Sequence, residues 1–337
     1  MSKTYWQVAA GSIGRNYADL FLKFGMAFVG GENKIKTMAE VSIGDILLLK
    51  RGVSKVIAVG EVVERDGKHK GNKDKPWLSD FDGWDLSAYC YVDWHVPNEP
   101  SEISGLTRAT IQKVHQDRHK ELADSLLKLP IRPHEPEPSP TNHVSDEDIL
   151  EFLIREGLRP SAADELADTF RRIRLLARYY FDLPNREKGM RWEDIREHET
   201  IAFLIIPLLL ALGWAEQQIK IELPCSGGRV DITCFSRPYR GKKDECVLII
   251  EAKDFSSGLD YAPEQALRYA KDFPSCQVVV VSNGYCYKTY IRSEGAFSLI
   301  PSAYLNLLKP EDRYPLDPDK VAGALQVLKW LLPMTLR

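Results

Sequence analysis

The sequence predicts a multidomain chain that joins an α+β part to an α/β part: a small N-terminal β-barrel, a helical connector and a C-terminal αβββαβ core. Three observations predict it. Ahead of residue 128, short apolar runs follow one another between Gly-containing turns, the pattern of a small barrel. Pro130, Pro133, Pro136, Pro138 and Pro140 then make an extended spacer with few apolar residues. Beyond residue 185, one strongly apolar helix pattern, three strand patterns, a second helix pattern and a fourth strand follow in order. The expected boundaries are 1–128 for the first domain, 129–144 for the linker, 145–184 for the connector and 185–337 for the last domain.

Composition narrows the function classes. The chain has 337 residues, of which 44% are hydrophobic and 28% charged, as in globular proteins. Its net charge of −3 gives no global basic signature for nucleic acid, although a local basic groove around an acidic site would suffice. The six cysteines form no CxxC pair and lie mostly in apolar runs, which suits reduced thiols in the cytoplasm and disfavours a zinc site. The start, Met-Ser-Lys-Thr-Tyr-Trp, does not have the pattern of a signal peptide. The longest apolar run, Ile201 to Leu212, is too short to span a bilayer and contains Pro207. No G-x-x-x-x-G-K-[ST] motif appears, so no nucleotide cofactor is expected.

In the first domain, strands are expected at Thr4 to Ala10, Ala27 to Gly30 and Lys55 to Glu64, with a turn leading into a buried strand over Ser42 to Gly52, a later strand over Trp84 to Leu86 and Tyr89 to Val96, and a helix over Tyr17 to Phe24. Four of the seven tryptophans, Trp6, Trp77, Trp84 and Trp94, fall here. Trp6, Trp77 and Trp84 are candidates to wall a flipped base, which needs flat apolar surfaces. The alternative is that they are core or rim residues. Lys68, His69, Lys70, Lys73 and Lys75 form a basic run before Trp77, and Lys70 and Lys73 are candidate phosphate contacts or members of a solvated loop.

The connector opens with a capping-box-like Ser145-Asp146-Glu147-Asp148 and continues as two amphipathic helices. Arg171, Arg172, Arg174 and Arg178 on the second either track a DNA backbone or form a solvated face.

The chain's chemistry centres on Val247 to Lys253, a buried-strand run that ends in Glu251-Ala252-Lys253. Side chains alternate along a strand, so Glu251 and Lys253 share one face where the apolar run stops. Such a pair is costly to desolvate without a task. Asp231 stands among the apolar residues of the preceding strand, Arg229 to Phe235. Glu199 opens the apolar segment before that, with Glu197 as the fallback for the same role.

Asp231, Glu251 and Lys253 in this order resemble the PD-(D/E)xK nuclease superfamily, closest to the nuclease domains of type I and type IV restriction enzymes. The phrase Pro207-Leu208-Leu209-Leu210-Ala211-Leu212-Gly213-Trp214 resembles the first helix of those domains, and Gln265 with Tyr269 resembles their Gln-x-x-x-Tyr pair. Arg268 beside it is a candidate phosphate contact. In the first third of the chain, Tyr5-Trp6-Gln7-Val8, Gly44-Asp45-Ile46 and Ala58-Val59-Gly60-Glu61-Val62 resemble the EVE branch of the PUA-like fold. The resemblance implies a Mg²⁺-dependent endonuclease, with Mn²⁺ as a substitute, that recognises modified bases in double-stranded DNA, modified cytosine above all. It implies a role in restriction or phage defence, and cutting of both strands suggests a homodimer. The implied metal ligands are Asp231, Glu251 and the Ala252 carbonyl, with Glu199 supporting them. Lys253 would orient or deprotonate a water or stabilise developing charge, and Gln265 would lie close to the reaction. An RNA-directed nuclease, or a binding protein with an inactive nuclease fold, are the other readings of the same residues.

Overall fold

The structure, a computed structural model, describes residues 3–11, 14–186 and 194–336. It is a two-part α/β protein with an N-terminal curled mixed half-barrel sheet, a helical middle and a C-terminal mixed sheet. Two compact units result: Met1–Ser12 with Asn16–Pro138, and Ile13–Arg15 with Ser139–Arg337.

The N-terminal sheet contains β1 (Tyr5–Ala9), β2 (Met26–Val29), β3 (Ile46–Arg51), β4 (Lys55–Val62), β5 (Lys70–Asn72), β6 (Ala88–His95), β7 (Ser101–Glu102) and β8 (Ile111–Lys113). Its path is β2-β6-β4-β3-β1-β8, with β5 on β6 and β7 on β4. Only β1 with β3 is parallel; the other pairs are antiparallel. β2 and β8 end the path without pairing to each other, so the expected closed barrel is a half-barrel. Helices α1 (Ala18–Phe24), α2 (Glu32–Ala39) and α3 (Asp117–Leu126) accompany the sheet.

Ile46, Leu48, Val56 and Val59 cluster with Ala123 and Leu126 of α3. The opposite face carries a row across four strands, in which Trp6 pairs with Leu47, Leu47 with Gly60 and Gly60 with Trp94. Gly60 is required there, because a Cβ would stand 2.8 Å from the Trp94 ring and 2.3 Å from Val92.

The Pro-rich segment is not a free spacer. Ile131 bridges His95, the Arg132 N–H donates to the Trp94 carbonyl at 2.7 Å and the Glu135 N–H donates to the Lys23 carbonyl at 2.7 Å. Helix α4 (Asp146–Arg155) follows, capped by a Ser145–Asp148 capping box, and then α5 (Ala163–Arg186). Arg174 of α5 is committed to an ion pair with Asp146 at 2.6 Å and to the Leu307 carbonyl, so it does not sit on a free basic face.

The next helical stretch runs in three pieces: α6 (Glu197–Thr200), a π-helical turn (Ile201–Ile205) and α7 (Ile206–Ala211). The expected start of this helix at Trp192 lies outside the described residues. The sheet then contains β9 (Ile219–Cys225), β10 (Gly228–Phe235), β11 (Cys246–Ala252), β12 (Val278–Ser282), β13 (Cys286–Ser293), β14 (Ala296–Phe297) and β15 (Ala303–Asn306). Helix α8 (Ala262–Tyr269) links β11 to β12, the one parallel pair, and α9 (Ala324–Leu331) packs on β15. Every residue of β11 is buried, as a central strand covered on both faces requires.

Candidate active site

Strand register builds the site. Val230 pairs with Leu223 and Ile232 with Ile221, which sets Asp231 opposite Glu222. Ile232 pairs with Ile250, so one step on Asp231 faces Glu251. Glu222, Asp231 and Glu251 therefore form a row across β9, β10 and β11. The row lies where β11 runs out at Ala252, beside the parallel β12. The C-terminal ends of parallel strands are the usual place for a site in open α/β sheets. The Lys253 N–H continues the pairing to the Ser282 carbonyl at 2.8 Å, which fixes the lysine's backbone.

The side chains of the triplet converge as the sequence predicts. Lys253 Nζ donates to Glu251 Oε1 at 2.6 Å, and the Ala252 N–H donates to Asp231 Oδ2 at 2.7 Å. Glu251 is only 1% exposed, and its Oε2 is buried without a hydrogen-bond partner.

Burial, followed by the charge of Asp231, pushes the Glu251 carboxyl up to about 7. Burial also raises Asp231. Two neighbouring carboxylates taken out of water do not both ionise cheaply. Lys253 loses charge stabilisation through burial, but its bond to Glu251 and the charges of Glu251, Glu197 and Asp231 outweigh that and raise it.

Glu197, rather than Glu199, joins this group. Glu197 Oε2 lies 3.9 Å from Lys253 Nζ, and burial and then the Asp231 charge raise its carboxyl. Its N–H donates to Asp254 Oδ1 at 2.9 Å, which pins the helix start to the loop after β11. Glu199 turns back to accept the Arg196 N–H at 3.0 Å and works as a helix cap. Of the two candidates, the structure thus places the fallback, Glu197, beside Lys253 and not Glu199.

Glu222 is a site neighbour that sequence reasoning did not pick. It ion-pairs with Arg229 at 3.1 Å and adds to the upward push on Asp231. Its φ of 53° is rare for a residue with a side chain and breaks the regular pleat of β9. Counting back from the Gly227-Gly228 turn would have placed it opposite Asp231.

Gln265 donates to Tyr269 Oη at 3.0 Å, so its hydrogen bond goes to the helix partner and not to the carboxylates. Tyr269 is buried under the β9–β10 turn, where a Cβ at Gly228 would stand 2.9 Å from its hydroxyl. Arg268 beside it is exposed.

The residues expected to hold a base are placed differently. Trp6 is 1% exposed and its indole N–H donates to Asp45 Oδ2 at 2.9 Å. Trp77 is buried against Phe24, Phe28 and Phe81, and its N–H donates to Glu137 Oε2 at 3.1 Å. Both rings are core, not open platforms. Trp84 is half-buried in a tight turn with Phe81. Lys70 donates to the carbonyls of Ala39 and Val41 and so closes the end of α2 instead of facing solvent. Lys73 is exposed.

Among the described residues, no three His, Cys, Asp or Glu side chains converge tightly enough to hold a metal by themselves. The residues present fit a hard cation of lower demand. Asp231 and Glu251 supply two carboxylates, and the unpartnered Glu251 Oε2 lacks a positive partner that a cation would provide. Mg²⁺ commonly binds through one or two carboxylates, with water and substrate phosphate filling the remaining positions.

Compared with known proteins, the chain matches no family model, no curated protein and no solved structure.

Proposed function

We propose that this chain is a metal-dependent DNA endonuclease of the PD-(D/E)xK type, with its N-terminal unit acting as an EVE-like reader of modified bases. The observation that carries the reading is the buried Glu251 carboxylate with one oxygen on Lys253 and the other unpartnered, facing Asp231 at the end of a central strand.

Asp231, Glu251 and the Ala252 carbonyl would hold a Mg²⁺ ion, which when bound supplies Lewis-acid polarisation of a phosphoryl oxygen and a more acidic water. The protein groups divide the remaining work. Lys253 has its ionisation raised and so stays an ammonium at neutral pH. It is thus a donor to an attacking water or to the charged phosphate oxygens, and a poor proton acceptor. Glu251 fixes that ammonium by their 2.6 Å bond, and Glu197 approaches it from the helix start. Asp231 is oriented by the Ala252 N–H, so the two carboxylates are positioned by backbone and not by surface loops.

The reader half rests on the order of the N-terminal motifs and on the curled mixed sheet that contains them. With Trp6 and Trp77 in the core, base contacts fall to other groups, Trp84 among them.

The test is cleavage of matched DNAs in Mg²⁺. One DNA carries ordinary cytosine and the others methyl-, hydroxymethyl- or glucosylhydroxymethyl-cytosine, each with wild type and Lys253→Ala. Selective cutting of one modified DNA, lost in the variant, supports both halves. Equal cutting of all four removes the cytosine reader and keeps the nuclease. Cutting of RNA in preference to DNA reassigns the substrate, and no cutting of either leaves an inactive fold that binds.

A further inference from the structure

The N-terminal unit contains a set of hydrogen-bond donors that already holds an anion, and the anion comes from the chain itself. Lys75 Nζ and Tyr91 Oη donate to Glu137 Oε1, and Trp77 Nε1 donates to Glu137 Oε2. Lys75 is largely enclosed, with its ammonium 4.9 Å from the Tyr89 ring centre and 5.2 Å from that of Tyr91. Its position is therefore fixed by two aromatic faces before any anion is added. Tyr89 is in turn held through its hydroxyl by Asp74 at 3.0 Å. Three donors from β6 and the segment before it thus point at one carboxylate on the Pro-rich segment.

We propose that Lys75, Trp77 and Tyr91 form a phosphodiester-binding site, which Glu137 fills until a nucleic acid backbone displaces it. This inference rests on the reading of the chain as a nucleic-acid enzyme. The chemistry favours a phosphodiester because its two non-bridging oxygens share one negative charge, as the two oxygens of Glu137 do. A lysine, an indole N–H and a phenol are all donors and suit such a group without discriminating sequence.

Displacement has a consequence for the segment that carries Glu137. The Arg132 and Glu135 N–H groups hold the same segment to the N-terminal unit, so loss of the Glu137 anchor should loosen them as well.

The experiment uses the full chain carrying Asp231→Asn, so that binding is measured without cutting, and a 20-base-pair DNA as probe. Glu137→Gln should bind about tenfold more tightly, because the internal competitor is gone. Lys75→Met should bind more weakly, with a salt slope lower by about one, the signature of one lost phosphate contact. Amide hydrogen exchange at Arg132 and Glu135 should accelerate when DNA is added. Unchanged or weaker binding by Glu137→Gln, with no acceleration at those amides, overturns the proposal. Acceleration by inorganic phosphate alone, with none from DNA, overturns the nucleic-acid assignment. The result is separable from the nuclease reading. Tighter binding by Glu137→Gln in a protein whose wild type cuts nothing keeps the site and removes the nuclease, and the reverse pair of results does the opposite.

Discussion

Replacing Glu251 with glutamine should stabilise the metal-free protein at alkaline pH while abolishing its activity. Glu251 is 1% exposed, so solvent screens its charge very little. Its carboxyl is raised from 4.5 to about 7, a value that already includes the favourable bond to Lys253. The folded state therefore holds the proton more tightly than the unfolded chain does. Below pH 4.5 both states are protonated and ionisation costs nothing. As pH rises from 4.5 to about 7, the unfolded chain ionises while the folded state still holds its proton, so stability falls by about 3 kcal/mol and then levels off. Glutamine keeps the shape and removes the titration. In EDTA at pH 8.5, Glu251→Gln should melt about 6–12 °C above wild type, on the scale expected for a unit of this size. At pH 4.5 the two proteins should melt together. A variant that is less stable at pH 8.5, or more stable by the same amount at both pH values, would refute the assignment of strain to this carboxylate.

Other consequences follow from the same geometry. Mg²⁺ should raise the melting temperature of wild type at pH 8, by an amount equivalent to about 2.7 kcal/mol at a hundredfold excess over its dissociation constant. Protons compete for Asp231 and Glu251, so the shift should vanish by pH 5.5, and it should be absent in Glu251→Gln at either pH. Glu197→Gln should reduce cleavage by about 10-fold or more with little change in stability, whereas Glu199→Ala, which removes the acceptor of the Arg196 N–H, should cost about 1 kcal/mol of stability and leave the chemistry in place. Comparing single-turnover rates and melting curves for the two variants checks both claims. Gly228→Ala places a Cβ 2.9 Å from the Tyr269 hydroxyl at a φ of +141°, and its urea midpoint should drop by an amount equivalent to about 1–3 kcal/mol.

The sequence makes the C-terminal strands legible because β11, β12 and the second half of β10 are buried on both faces and so are written as apolar runs. The expected Arg229 to Phe235 and Cys246 to Ala252 match β10 and β11 to within a residue. Asp231, Glu251 and Lys253 can be placed together because strand alternation allows only one face for each. The choice between Glu197 and Glu199 is not legible, because both stand in the same charged turn, Arg196-Glu197-His198-Glu199, and tertiary contacts separate them: Glu197 meets Lys253 and Asp254, while Glu199 bonds back to Arg196. The tryptophans fail for another reason. A Trp reads the same in a core as on a binding wall, and its partner decides. Those partners, Asp45 for Trp6 and Glu137 for Trp77, stand 39 and 60 residues away along the chain. The Pro-rich segment misleads in the same way, since its composition shows extension but not the surface it lies on.

The bond from the Ala252 amide joins the Asp231 carboxylate to a fully buried central strand. β11 is paired on both sides and fully buried, so its amides should exchange only when the whole unit unfolds. The site and the fold are thus lost in a single event. Partial opening near a rim loop should leave the carboxylates aligned. Heat inactivation should then follow the kinetics of global unfolding, and the Ala252 proton should be among the last to exchange.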